Sequence, residues 1–482
     1  MHTTKQSPLA AILAALSFLA ILTDPAPGQW LEYRFEFGGA DSGDLFGHAV
    51  AVHGDFAIVG APGDDEMGQN AGAAYVFVSD GPNGIWEEVT KLTAEDPGAG
   101  DVFGWAVAIS GDYAVVGAKW DDWNGPGSGS AYVFFRNSRD VWSQQAKLTP
   151  SDPSGTDHFG FSVAIDGRLI AVGAVNADQP NGTVGAVHVF RRSGSRWSEE
   201  AKLTATDSDA RFFGWAVAAE ADRVFVGAPW GPSTRQGWAS RGAAYVFERE
   251  EGHDWVERAK LIASDGHYFA WFGLAVSMSG ERLVAGAPAA LDQVRVGAAY
   301  IYEWDTPSGG WVETKLVPSD GADGDSFGNA VALDGERLVV ASANDDDAGT
   351  SSGSVYLFDI EEGVRFQTKL TAADAAPGDQ FGWSVSASGE SVLVGAWMND
   401  APGQDSGAAY LYAPGVLGDM NCDESVNGAD IDPFFMAVGD PPSYLAAYPN
   451  CNINHADVNG DGIVNGADIV MFLECVGNGG CP

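Results

Sequence analysis

From Phe103 to Ile109 the chain reads Phe-Gly-Trp-Ala-Val-Ala-Ile, with bulky residues at the odd positions and Gly or Ala at the even ones. A period of two marks a β-strand. A strand with one wet side would alternate apolar with polar residues. Here the second side is small and apolar instead, so another sheet is expected to approach it closely and both faces to be buried. The turn Ser110-Gly111-Asp112 leads into a second apolar strand, Tyr113–Ala118; a third covers Ser130–Phe135 and a fourth Trp142–Leu148. This four-strand order recurs along most of the chain, and its fourth strands open at Trp30, Trp86, Trp142, Trp197, Trp255, Trp311 and Phe366.

Seven Phe-Gly pairs punctuate the pattern, at Phe46, Phe103, Phe159, Phe213, Phe272, Phe327 and Phe381, with spacings of 57, 56, 54, 59, 55 and 54 residues. Each is answered 14 positions later by Gly-Ala or a close variant, beginning at Gly60, Gly117, Gly173, Gly227, Gly286, Ala341 and Gly395. A period of this length denotes modules that need neighbours to bury their faces. The ends decide between a ring and an open stack. The last unit stops after its third strand, Ala409–Tyr412, while Trp30–Phe35 is a lone fourth strand at the other end. Pairing the two completes a seventh unit and removes an exposed edge. The expectation is an all-β, seven-bladed β-propeller with four-stranded blades over residues 29–415, closed by its N-terminal strand. A right-handed β-helix is the alternative.

After Gly415 the period stops and two twelve-residue loops appear. The first runs Asp419 to Asp430 and the second Asp457 to Asp468. Oxygen-bearing side chains at positions 1, 3, 5, 9 and 12, with a backbone carbonyl at position 7, suit Ca²⁺. In the first loop these are Asp419, Asn421, Asp423, Ser425 (by its carbonyl), Asn427 and Asp430; in the second, Asp457, Asn459, Asp461, Ile463 (by its carbonyl), Asn465 and Asp468. Glu424 occupies the sixth position of the first loop, where a sharp turn wants the Gly that the second loop has as Gly462. An apolar segment follows each loop, Ile431–Val438 and Ile469–Val476, and the two are expected to form short helices packing on each other.

The Phe-Gly and Gly-Ala motifs resemble the FG-GAP repeats of the integrin α-subunit propeller, and more closely the secreted bacterial repeats of that type. In the integrin family some blades carry an Asp-x-Asp-x-Asp-Gly calcium loop between strands one and two. Here that connection is as short as Ser279-Gly280-Glu281, so those calcium sites do not carry over. The paired loops of residues 416–482 look like a small α-helical, type I dockerin-like module with EF-hand-type loops. This resemblance implies a cohesin-like protein or cell-surface scaffold as partner. Dockerins choose partners with loop positions 10 and 11, where this chain has Gly428-Ala429 and Gly466-Ala467 instead of the common hydroxyl pairs.

Composition narrows the setting. Leu9–Leu22 is apolar, follows Lys5 and precedes Ala26-Pro27-Gly28, so residues 1–28 read as a secretory signal. No stretch is long enough to span a membrane, and the mature chain is expected to be secreted and monomeric. A net charge of −41 excludes nucleic acid as a partner. All four cysteines, Cys422, Cys451, Cys475 and Cys481, lie in the C-terminal module, which suggests two disulfides. Three pairings are possible. Cys422–Cys451 with Cys475–Cys481 is favoured because the second closes a short loop.

Acids cluster in two loop sets that should emerge on one propeller face. Asp96, Asp101, Asp152, Asp157, Asp320, Asp325, Asp374 and Asp379 precede the Phe-Gly pairs; Asp64-Asp65, Asp121-Asp122, Asp345-Asp346-Asp347 and Asp400 follow second strands. Trp105, Phe161, Trp215 and Trp383, each two positions after a repeat Phe, start near the same face. The functional reading is a surface for calcium, a glycan or a protein ligand; the structural one is turn-capping acids and gap-filling aromatics. No asymmetric carboxylate pair of the kind glycoside hydrolysis needs stands out. His48, His158 and His267 read as loop residues. The sequence thus points to a non-catalytic, calcium-binding adhesion or scaffold protein. A dockerin-borne part in extracellular polysaccharide degradation is the alternative.

Overall fold

The computed structural model describes residues 30–478 except 36, 40, 80–85, 179–183, 208–209, 231–240, 253, 267–269, 291–294, 308, 362, 415–417, 421–425, 427, 449–452, 457 and 459–463. The expected leader therefore lies outside the described residues. Twenty-eight strands form seven separate four-stranded antiparallel sheets. Blade II is representative, with strands Ala106–Ser110, Tyr113–Ala118, Ser130–Arg136 and Trp142–Leu148 in that spatial order. The first strands of successive blades touch in sequence, and that of the seventh returns to touch that of the first. They form the inner wall of a closed ring.

Closure occurs as the termini imply. Trp30–Arg34 lies antiparallel to Ala408–Pro414, with Trp30 opposite Pro414 and Arg34 opposite Tyr410. The Tyr412 hydroxyl donates to Glu32 at 2.7 Å, and the Ala373 N–H donates to the same oxygen at 2.9 Å. Beyond the strand, Phe35 stacks on Phe77 of the first blade at 4.4 Å. The N-terminal segment therefore completes the seventh blade and also enters its interface with the first.

The hydrophobic interior is divided into one core per blade–blade interface. Ile58, Val76 and Leu92 of blade I pack with Phe103, Val107 and Tyr132 of blade II, and an equivalent cluster fills each of the other six interfaces. Such cores vanish if neighbours separate. One expectation needs correction here. The small residues of the first strands are not sealed in every blade: Ala164 and Ala332 are buried, but Ala106 and Ala108 pack against the core between blades II and III while retaining exposure. Lining the inner wall, they meet a neighbour on one flank only.

The Phe-Gly pair also behaves differently from the strand start that its periodicity suggests. Only in blade III does the first strand begin at the Phe, as Phe159–Asp166. Elsewhere the strand starts three or four residues later, as at Ala106 after Phe103. The Phe also pairs in parallel with the Gly at the start of the third strand of the previous blade: Phe103 with Gly72, Phe159 with Gly129, and so on around all seven junctions to Phe46 with Gly407. The Phe103 N–H donates to the Ala71 carbonyl at 2.9 Å, which ties blade II to blade I through backbone.

Gly104 then crosses the second strand of blade I at very short range. Its φ is +92°, and a Cβ there would lie 2.1 Å from the Ala73 carbonyl oxygen. Facing it, a Cβ on Gly60 would lie 2.1 Å from the Gly104 carbonyl oxygen. The Phe-Gly of one unit and the Gly-Ala of the preceding one are two halves of a single close contact. At the junction where the sequence departs, the Ala341 Cβ is 3.1 Å from where a Cβ on Gly382 would sit. The Ser354 carbonyl there has receded to 2.9 Å from that position, so a methyl group fits at the expense of a looser approach.

The C-terminal module has its own core. Helices α1 (Ile431–Gly439) and α3 (Ile469–Asn478) follow the two loops as expected, and Phe434 stacks on Phe472 with ring centres 3.7 Å apart. The long insert between the loops contributes α2 (Pro441–Ala447), which the residue pattern did not reveal. Its Tyr444 hydroxyl donates to the Met420 carbonyl at 3.1 Å. Cys475 is buried and disulfide-bonded. The other three cysteines lie outside the described residues, so the favoured pairing does too.

Gly104→Ala should destabilise the propeller by about 3–5 kcal/mol, combining a left-handed backbone with overpacking. Gly111→Ala in an open hairpin turn, φ +57° with nothing within 4 Å, should cost only about 1–2 kcal/mol. Chemical denaturation of the two variants checks this; equal losses would show that the blade contact tolerates a methyl group.

Candidate functional site at the channel mouth

The loop acids are engaged by the blades themselves. In blade II the hydroxyl of Tyr132, on the third strand, donates to Asp121 at 2.6 Å and to Asp96 at 3.1 Å. Lys147, on the fourth strand, reaches both carboxylates at 2.7 Å. Blade VI repeats the cluster with Tyr356, Lys369, Asp320 and Asp345. Blades IV and V keep a reduced form, Tyr245–Lys260–Asp207 and Tyr300–Lys315–Asp265. In blade VII the lysine is replaced by Arg34, 3.1 Å from Asp374. Burial opposes ionisation of Asp96 and Asp320, but Lys147 and Lys369 outweigh it and hold both carboxyls below the ordinary value.

A second set closes turns. Asp44, Asp101, Asp157, Asp325 and Asp379 each accept the backbone N–H of the residue three positions earlier, at 2.6–3.0 Å. Burial raises all five carboxyls, Asp44 to about 6. In the loops after second strands, Asp65, Asp122, Asp346 and Asp400 each accept an N–H five residues on. Among the described residues no group of three or more His, Cys, Asp or Glu is arranged around a metal position.

The aromatics are arranged otherwise. Residues two positions after the repeat Phe follow one another around the mouth of the ring. His48 lies 4.2 Å from Trp105, Trp105 6.0 Å from Phe161, and Phe161 4.7 Å from Trp215, ring centre to ring centre. Trp383 and Trp397 continue the arc on one side of His48, and Trp230 and Trp271 extend it beyond Trp215. Leu274 and Asn329 hold the two remaining positions of the series. Trp383 keeps 39 % of its surface exposed and Trp271 37 %.

Several of these residues escaped the sequence reading. His48 does lie in the turn before Ala49, as read, but it is buried and not solvated: burial, with the positive charge of Lys119, presses its imidazole down to about 4, and its Nδ1 lies 3.1 Å from the Trp105 carbonyl. His158 is half-buried near the same lysine, and His267 lies outside the described residues. Lys119 and Trp397 each directly follow the Gly-Ala that ends a second strand. That position was the available signal, because a strand ending at the mouth delivers its next side chain there.

In the C-terminal module, Asp419, Asp430 and Asp468 are fully buried. Asp430 accepts the Met420 N–H at 2.7 Å, so the end of the first loop folds back on its beginning. Asp468 accepts the Asn465 N–H at 2.9 Å. His455, from the insert, faces the Asp419 carbonyl through Nδ1 at 2.8 Å. Asn421, Asp423, Ser425, Asn427, Asp457, Asn459, Asp461 and Ile463 lie outside the described residues. No described helix is long and apolar enough to cross a membrane.

Asp44 gives a test of the structural role of the acids. Its folded-state value of about 6 lies above the ordinary 3.8, so the folded chain holds this proton more tightly than the unfolded one. The carboxyl therefore opposes folding above pH 6, and the opposition fades as pH falls through that window. Asp44→Asn, which keeps an oxygen for the Asp41 N–H, should stabilise the calcium-free protein near neutral pH and lose that advantage near pH 4. Denaturation at both pH values checks this; a loss of stability at neutral pH would mean that the charge itself is needed.

The FG-GAP repeat model matches residues 38–77, 86–134, 142–190, 197–247, 255–302, 311–358 and 364–412. Most matches begin at or near the fourth strand of one blade and end in the third strand of the next. A curated relative, integrin alpha-6 of Gallus gallus, is 30 % identical over 148 residues, 28 % of this chain and 13 % of that protein. Seven consecutive matches, one for each junction of the ring, show that the chain belongs to the FG-GAP repeat family.

Proposed function

We propose that this is an exported, non-catalytic adhesion or scaffold protein whose propeller offers the aromatic channel mouth to a glycan and whose C-terminal module, residues 416–482, binds calcium and docks to a partner. The observation that carries the first half is the aromatic arc itself. Flat, partly exposed indole faces on a rigid wall suit stacking against sugar rings. The acids favour binding over turnover, because they repeat from blade to blade and are held by Tyr, Lys or backbone. A hydrolase instead needs one asymmetric, separately tuned pair. Adhesion rests on the likeness to the integrin α propeller.

The second half rests on charge. Residues 416–482 contain ten Asp and Glu and neither Lys nor Arg. Buried carboxylates at 419, 430 and 468 thus have no cationic side chain within their own module. This donor set fits a hard divalent cation. Asp419, Asn421, Asp423, Asn427 and Asp430, with the Ser425 carbonyl, would hold one ion. Asp457, Asn459, Asp461, Asn465 and Asp468, with the Ile463 carbonyl, would hold the other. Bound calcium would neutralise the carboxylates and stabilise the module by about 2.7 kcal/mol at a hundredfold excess over Kd. The paired loops support docking in the manner of a dockerin on a cohesin-like partner.

Two measurements test these halves separately. Glycan-array binding by the full chain should be retained for some oligosaccharides, weakened by Trp383→Ala, and accompanied by no release of new reducing ends. Retention of no sugar would remove the ligand assignment, and turnover would remove the non-catalytic one. Calorimetric titration of the calcium-stripped chain should show two sites. Asp468→Ala should remove the tighter one, because Gly462 makes the turn that Glu424 strains. Absence of calcium-dependent heat would overturn the second half.

A further inference from the structure

Lys119 is out of keeping with every other described lysine. Lys91, Lys147, Lys202, Lys260, Lys315 and Lys369 each hold an aspartate. Lys119 is only 6 % exposed, and among the described residues neither a carboxylate nor any other hydrogen-bond acceptor reaches its Nζ. The ammonium lies 2.9 Å from the ring centre of Trp105, 4.8 Å from that of Trp120 and 5.3 Å from that of Phe161. Cation–π contacts offset part of the cost of desolvating the ammonium. A methionine would fill the same cage without the cost of burying a charge. In a chain of net charge −41, an ammonium that none of the described carboxylates reaches is open to a counter-charge from outside.

The platform around it suits a ring-shaped ligand. Trp120 and Trp123 are 46 % and 43 % exposed, within four residues of each other in the loop after the second strand of blade II. The backbone of Trp120 is tied by its N–H to the Asp101 carbonyl at 3.4 Å, and the Trp123 indole is held by its Nε1–H to the Gly129 carbonyl at 3.2 Å. Holding the loop and one of its indoles in place leaves less entropy to lose when a ligand stacks there.

We infer that the sector of the mouth between blades II and III is a subsite for a carboxylated sugar, a uronic acid residue of an acidic glycan, with Lys119 supplying the counter-charge and Trp120 the stacking face. The inference rests on the glycan reading proposed above and narrows it to a substrate class. A charge-assisted hydrogen bond to the sugar carboxylate would satisfy the ammonium that the protein leaves without an acceptor. The acids of the adjoining turns are already engaged, Asp121 by Lys147 and Asp101 and Asp122 by backbone N–H groups, and repulsion from more distant ones is screened at physiological salt.

Burial alone presses Lys119 down to about 7, so binding of a carboxylate should be accompanied by proton uptake above that pH. The titratable groups whose charges meet it are His48, pressed down to about 4 by burial, and His158, which burial also lowers.

Titration calorimetry of the full chain with oligomers of galacturonate, glucuronate and mannuronate, and with their methyl esters, tests the inference. The esters keep the ring and remove the charge. At about pH 6, at least one acid should bind about tenfold more tightly than its ester, the worth of one charge-assisted hydrogen bond. Lys119→Met should abolish that preference while leaving ester binding in place, and Trp120→Ala should weaken acid and ester alike. Raising the pH to about 8.5 should lower the acid affinity of the wild type but not of Lys119→Arg, which stays charged. Equal affinity for acid and ester, or a preference that survives Lys119→Met, overturns the inference and leaves the glycan reading intact. Binding of neutral sugars with no uronate bound does the same, whereas binding of no sugar at all removes both.

Discussion

Everything in the propeller depends on how closely two backbones pass at each blade junction. The Phe-Gly of one blade lies over the Gly-Ala of the previous one at a range that excludes a Cβ on either strand, as the 2.1 Å approaches at Gly60 and Gly104 show. That proximity lets the Phe donate its N–H across the junction and bury its ring in the interface core. It also sets the angle between successive sheets. Seven nearly equal junctions return the chain to its start, and the cores between blades then have no open side. The Ala341–Gly382 junction shows the tolerance of the device: one methyl group is accommodated by withdrawal of the facing carbonyl.

The same economy explains the acids. Seven converging strand ends crowd loops onto one face, and tight loops leave backbone N–H groups in need of acceptors. Asp at fixed places meets that need, and the third-strand Tyr and fourth-strand Lys hold the remaining oxygens. Most of the propeller's carboxylates at this face are thus part of the repeat, which is why they recur from blade to blade. Function is better sought where the repeat is broken. Such breaks concentrate at the mouth, where the position two after the Phe varies from Trp to His, Leu and Asn.

Much of this was legible in the residues because the repeat amplifies weak signals. One alternation is ambiguous; seven at constant spacing, with a fourth strand spare at one end and missing at the other, specify a closed ring. What a periodic pattern could not reveal was the role of Phe-Gly. A parallel bridge to the previous blade carries no hydropathy of its own, and the Phe looks like the first bulky residue of a strand. His48 and Lys119 were missed for a related reason. A polar residue between apolar elements reads as loop, and only the convergence of seven strand ends turns those positions into an enclosed mouth. Helix α2 was hidden because Pro441 and Pro442 suggest a break, although both fit the first turn of a helix where N–H groups are unused.

The distribution of positive charge separates the two parts of the chain more sharply than their folds do. In the propeller, six lysines and Arg34 sit at the same place on fourth strands and are matched to aspartates. In the C-terminal module neither Lys nor Arg occurs, and the buried carboxyls of Asp430 and Asp468 accept backbone N–H groups. Two arrangements of charge thus lie on one chain: carboxylates paired with fourth-strand cations around the ring, and buried carboxylates in a module that has neither Lys nor Arg. Lys119 is the exception within the ring: no described carboxylate reaches this buried lysine, which rests on the Trp105 ring instead, at a blade end where an aromatic cage replaces an aspartate.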